Sequence, residues 1–112
     1  MKKLAGLVLL LAIGAQAAYP GVQQSLKVCG EREGVTLDVV THNPFQQNVK
    51  CFYHCHFEMV KIIVNGKIEI PKIENAKPCL NIEHADKCER ASMLRTCLKA
   101  HLDSWEWRQF AM

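Results

Sequence analysis

The chain has 112 residues, with 14 Lys and Arg against 11 Asp and Glu, for a formal net charge of +3 at pH 7. So small a charge excludes the broad basic face that nucleic-acid binding needs, and the length suits one domain. There is no repeat, no run of like charge and no low-complexity tract.

Met1-Lys2-Lys3 is a short basic start, and residues 4–13 form an apolar run broken only by Gly6. Ala15-Gln16-Ala17 then supplies the small-x-small pattern of a signal-peptidase site. Residues 1–17 read as a secretory signal peptide, because the apolar run falls well short of the ~18–20 residues a bilayer span needs. The mature chain starts at Ala18 or Tyr19, leaving about 95 residues in one domain, 18–112. Cleavage removes Lys2 and Lys3, so the net charge falls from +3 to +1. The expected location is extracellular.

Tyr19-Pro20-Gly21 is an irregular start, with Pro20 suited to a first helical turn. Val22, Leu26 and Cys29 follow at helical spacing, with polar residues between them. Either Gly30 or Gly34 is placed to end that helix. Val35, Leu37, Val39 and Val40 read as a short helix rather than a strand, closed by Asn43-Pro44, because proline disfavours helix at the residue before it.

Residues 46–64 carry the clearest helical period: Val49, Phe52, Tyr53, His56, Met59, Val60 and Ile63. The spacing predicts one helix stopped by Asn65-Gly66. A hairpin of 60–64 with 67–70 around Asn65-Gly66 is the alternative. Beyond it a helix of two turns from Pro71 is expected, then a loop over 81–85. Asp86, with Glu89 three residues on, caps a helix over 87–102 with the stripe Ala91, Leu94, Leu98 and Leu102. Asp103 or Ser104 starts a further short turn. The tail carries Trp105, Trp107 and Phe110 and is expected to fold back onto apolar surface.

Nothing in this order looks catalytic. There is no nucleophile turn, no glycine-rich phosphate loop and no paired carboxylates, so no enzyme and no cofactor are expected. Cys51, His54, Cys55 and His56 crowd together as metal ligands would. In a small secreted chain with an even cysteine count, disulfides are the stronger reading.

The six cysteines are the informative constellation: Cys29, Cys51, Cys55, Cys79, Cys88 and Cys97, separated by 21, 3, 23, 8 and 8 residues. They form three disulfides, with 15 possible connectivities. Cys51 and Cys55 share a helix face, well placed to catch two other segments. Cys88 and Cys97 lie on nearly opposite sides of their helix and cannot bond each other, so that helix is clamped from both sides.

This pattern closely resembles that of the insect odorant-binding protein family (the pheromone-binding and general odorant-binding proteins). The matching features are Cys51-x3-Cys55, the 23-residue gap to Cys79 and Cys79-x8-Cys88-x8-Cys97. The resemblance implies an all-α fold of about six short helices around an apolar cavity. It also implies three interlocked disulfides: Cys29–Cys55, Cys51–Cys88 and Cys79–Cys97. It implies a carrier for a small apolar ligand such as an odorant, pheromone or lipid-like molecule, a monomer or weak homodimer, with a membrane receptor as a further partner. The chain departs from the family in being short, with Pro71 and Pro78 compressing the segment between Cys55 and Cys79.

The candidate lining residues are Phe52, Met59 and Ile63 on the long helix, Met93, Leu94 and Leu98 on the next, and Trp105 and Phe110, with Trp107, at the mouth. Methionines favour a lining that adapts to different shapes. Arg95, Tyr53 or a histidine is suited to a ligand's polar end. The five histidines raise the expectation of pH-dependent release. Two other roles fit the same residues. One is a non-olfactory carrier in a salivary or reproductive secretion. The other is a disulfide-rich ligand or inhibitor that acts by its surface.

Overall fold

The computed structural model describes residues 21–70 and 73–109. The expected signal peptide, the Tyr19-Pro20 start, Pro71 and Phe110 lie outside the described residues. The described chain is all-α, apart from one small hairpin, and carries three disulfides.

Helix α1 spans Val22–Glu33 and ends at Gly34, whose φ of 69° is left-handed. Gly34, not Gly30, is therefore the stop, because glycine enters that region without the Cβ clash. The N–H groups of Gly34 and Val35 both donate to the Gly30 carbonyl. Helix α2, Leu37–His42, starts where the Thr36 hydroxyl accepts from the Val39 N–H at 3.2 Å. It ends at Asn43, before Pro44, as expected.

Helix α3 spans Gln47–Met59 and so ends five residues before the period of the sequence predicts. The chain leaves the helix through Lys61 at φ 67°, and the Ile62 N–H turns back to the Phe57 carbonyl. Residues 63–64 form strand β1 (Ile63–Val64) and pair antiparallel with β2 (Lys67–Ile68), Ile63 opposite Ile68. Asn65 and Gly66 both have positive φ, the requirement of a tight hairpin turn. The β-branched run and the Asn-Gly pair thus win over the helical period, and the alternative hairpin reading holds in this segment.

A 3-10 helix, Glu74–Cys79, takes the place of the helix expected from Pro71, and it buries Ala76 and Cys79. Helix α4 spans Lys87–His101 and is capped by Asp86, which accepts from the N–H groups of Cys88 and Glu89. Glu89 does not fold back to complete a capping box. Its carboxylate instead accepts from the Lys50 ammonium at 2.7 Å, tying α3 to α4 beside the Cys51–Cys88 bridge. Helix α5, Ser104–Arg108, is capped reciprocally by Asp103 and Glu106.

The disulfides join Cys29 to Cys55, Cys51 to Cys88 and Cys79 to Cys97. They tie α1 to α3, α3 to α4, and α4 to the 3-10 helix. Helix α4 is clamped from both sides, as its cysteine spacing requires. One contiguous core lies between these elements, centred on Phe52, Tyr53, Phe57, Ile62, Leu94 and Leu98. Burial at ~25 cal/mol per Å² of apolar surface and bridges at ~2–4 kcal/mol each together hold a chain this small.

Candidate ligand-binding site

Phe52, Ile63, Leu94 and Leu98 lie together in the buried core. Met59 packs half-buried against it, with its sulfur 3.7 Å from that of Cys29. Met93 and Trp105 face outward, 40% and 68% exposed. The structure therefore gathers five of the predicted lining residues into one packed region and leaves these two at the surface.

Open space appears elsewhere. A groove of about 550 Å³ runs between the C-terminal half of α1 and the start of α2. Its apolar walls are Leu26, Val35 and Leu37, and its rim carries Gln23, Lys27, Glu31 and Thr36. Gly30 and Gly34 both line the groove; a Cβ at Gly34 would stand in open space, whereas one at Gly30 would come within 3.0 Å of the Val35 carbonyl, so Gly30 permits the close approach of that backbone. The left-handed turn at Gly34 then brings α2 back across the end of α1. Leu37, a large apolar side chain, is 54% exposed on one wall. None of the five histidines and none of the seven predicted lining residues that are described borders this groove. A sequence signal did exist: two glycines four apart at the end of an amphipathic helix, followed by an apolar pair, Val35 and Leu37. A second, more polar recess of about 460 Å³ lies between the hairpin and Leu80, walled by Val64, Ile68 and Ile70.

The candidate polar groups lie apart from the groove, on α3, α4 and α5. The Arg95 guanidinium lies 5.0 Å from the Tyr53 ring and 5.8 Å from the Trp107 ring, so α3, α4 and α5 meet around one cation. The Tyr53 hydroxyl and the Arg95 Nε are both buried and make no hydrogen bond. Burial pushes the Tyr53 phenol above its ordinary value of 10.0, and the neighbouring Arg95 charge pulls it partly back. Sequence reasoning named both residues as polar-end candidates; the fold brings them together.

The histidines have other partners. His56 is fully buried and hydrogen-bonded to Ser25, and His54 pairs with Glu58 at 3.2 Å. His42 lies 3.2 Å from Asp38 on the surface of α2. All six cysteines are bridged, and no group of three or more potential metal ligands occurs among the described residues. Among the described residues no helix is long and apolar enough to cross a membrane. Three disulfides are the mark of a chain that folds in an oxidising compartment. Comparison with family models, with curated proteins and with solved structures returns no match to this chain.

Proposed function

We propose that this protein is a secreted carrier of small hydrophobic molecules, of the insect odorant-binding type. The observation that carries the reading is the α1–α2 groove. Its volume of about 550 Å³ falls within the ~300–1,000 Å³ of small-molecule sites, and its walls are Leu26, Val35 and Leu37 above a polar rim. A ligand burying ~200 Å² of apolar surface there gains ~5 kcal/mol before the costs of association. The interlocked pairing of the six cysteines and the leader-like N-terminus support the same reading, the latter through secretion.

Titration with N-phenyl-1-naphthylamine tests it. Saturable, blue-shifted fluorescence is expected, competed by volatile alcohols and esters. Leu37→Glu should weaken dye binding by about tenfold, since it puts a charge on an apolar wall. Leu37 is already half exposed, so this variant keeps its fold. Absence of any saturable uptake would rule out the carrier reading and favour a protein that acts by its surface.

A further inference from the structure

We propose that Arg95, Tyr53 and Trp107 form a second site, apart from the groove, that takes the carboxylate of a fatty acid against α4 and α5. Two polar groups in one place are without partners. The Tyr53 hydroxyl belongs to a side chain that is 1% exposed, and it makes no hydrogen bond. The Arg95 Nε beside it is buried and equally unpartnered. Among the described residues no carboxylate pairs with this guanidinium; its neighbours are the two aromatic faces. Folded proteins rarely leave buried donors unused, and each such group calls for an explanation.

The donor set selects the ligand. A guanidinium offers parallel N–H groups that match a carboxylate, and a phenol adds one O–H donor. A carboxylate taken up here compensates the guanidinium through charge-assisted hydrogen bonds, whereas an alcohol or ester would leave the cation uncompensated. The surroundings select an amphiphile over a bare ion. The rings of Tyr53 and Trp107 lie 5.0 and 5.8 Å from the guanidinium, and Leu94 and Leu98 lie on the same helix as Arg95 in the core.

Access follows from the weak hold on α5. That helix contains no fully buried residue. Besides Trp107 over Arg95, it is held by the Asn75 amide, which donates to the Glu106 carboxylate at 3.0 Å. Trp107 packs half-buried against the edge of the core, so displacing it, with or without α5, is what uncovers Arg95.

The test titrates the full mature protein with dodecanoate below its micelle concentration, following the Arg95 Nε–Hε resonance and tryptophan fluorescence. Dodecanoate should shift that resonance saturably and bind about tenfold more tightly than dodecanol. Tyr53→Phe keeps the ring and removes the hydroxyl, and it should weaken dodecanoate several-fold with dodecanol unchanged. Arg95→Met should abolish the preference for the acid; Arg95→Lys, which keeps the charge and loses the fork, should fall between. Uptake of N-phenyl-1-naphthylamine in the groove should be unaffected by Tyr53→Phe, which separates this site from the carrier reading. Equal binding of dodecanoate and dodecanol, or an unmoved Arg95 resonance, overturns the proposal. Acetate or inorganic phosphate binding as well as dodecanoate overturns the fatty-acid assignment in favour of a plain anion site.

Discussion

Ser25 of α1 and His56 of α3 are hydrogen-bonded at 2.5 Å, and both side chains are fully buried. Ser25 lies one turn before Cys29 and His56 directly follows Cys55, so α1 is fixed to α3 by a covalent and a polar link side by side. Removing the hydroxyl leaves the imidazole without this partner in a dry interface. Ser25→Ala is therefore expected to destabilise the fold by ~1–3 kcal/mol, read as a lower urea midpoint with an unchanged slope.

Proteolytic mapping under non-reducing conditions should recover three crosslinked fragments, Cys29–Cys55, Cys51–Cys88 and Cys79–Cys97. Replacing Cys79 and Cys97 together by serine should cost ~2–4 kcal/mol. It frees the 3-10 helix from α4 and should raise amide exchange there first. A different set of crosslinks would contradict the fold directly.

Asp86 supplies a pH dependence with a definite sign. Hydrogen bonds from the Glu89 and Cys88 backbone N–H groups hold its carboxyl below the ordinary value of 3.8. A depressed folded value means that the cap stabilises the fold fully above the unfolded value and loses that contribution as pH falls through the folded one. The urea midpoint should decline below about pH 4. Asp86→Asn keeps an acceptor at the cap and removes the charge, and it should flatten that decline.

Gly66 occupies φ 80° in the hairpin turn, and its carbonyl accepts from the Arg90 guanidinium at 2.6 Å. Gly66→Ala forces a Cβ into the left-handed region and should cost ~1–2 kcal/mol. The measurement is thermal unfolding together with exchange of the Glu69 amide, which closes the hairpin onto the Ile62 carbonyl.

Release from the groove should not follow histidine protonation. None of the five histidines lines it; His54 and His56 belong to the α3 packing. Dye affinity is expected to stay flat from pH 7 to pH 5, checked by titrating N-phenyl-1-naphthylamine across that range.

Much of the helical framework was legible in the residues themselves. The stripes of α1, α3 and α4 are local, since residues three and four apart share a face wherever the helix lies. So are the caps at Asp86 and Asp103 and the stop before Pro44, which depend on side-chain and ring geometry within one turn. The opposition of Cys88 and Cys97 followed from helical pitch and held. The end of α3 was misread because Ile62, Ile63 and Val64 fit both a helical period and a strand. Only the packing of the hairpin against the core and the reach of Arg90 to Gly66 decide between them.

The sequence by itself marked out a stapled, largely helical chain, because periodicity, capping and an even cysteine count are short-range properties; the all-α fold as a whole was what the family resemblance implied. The tertiary structure alone decided which surfaces stay open. The groove exists because Gly34 turns α2 back over Gly30, and the cationic site exists because α3, α4 and α5 converge on Arg95. Both depend on residues far apart in the chain, or on the direction of one turn, and no spacing along the chain encodes where such elements meet.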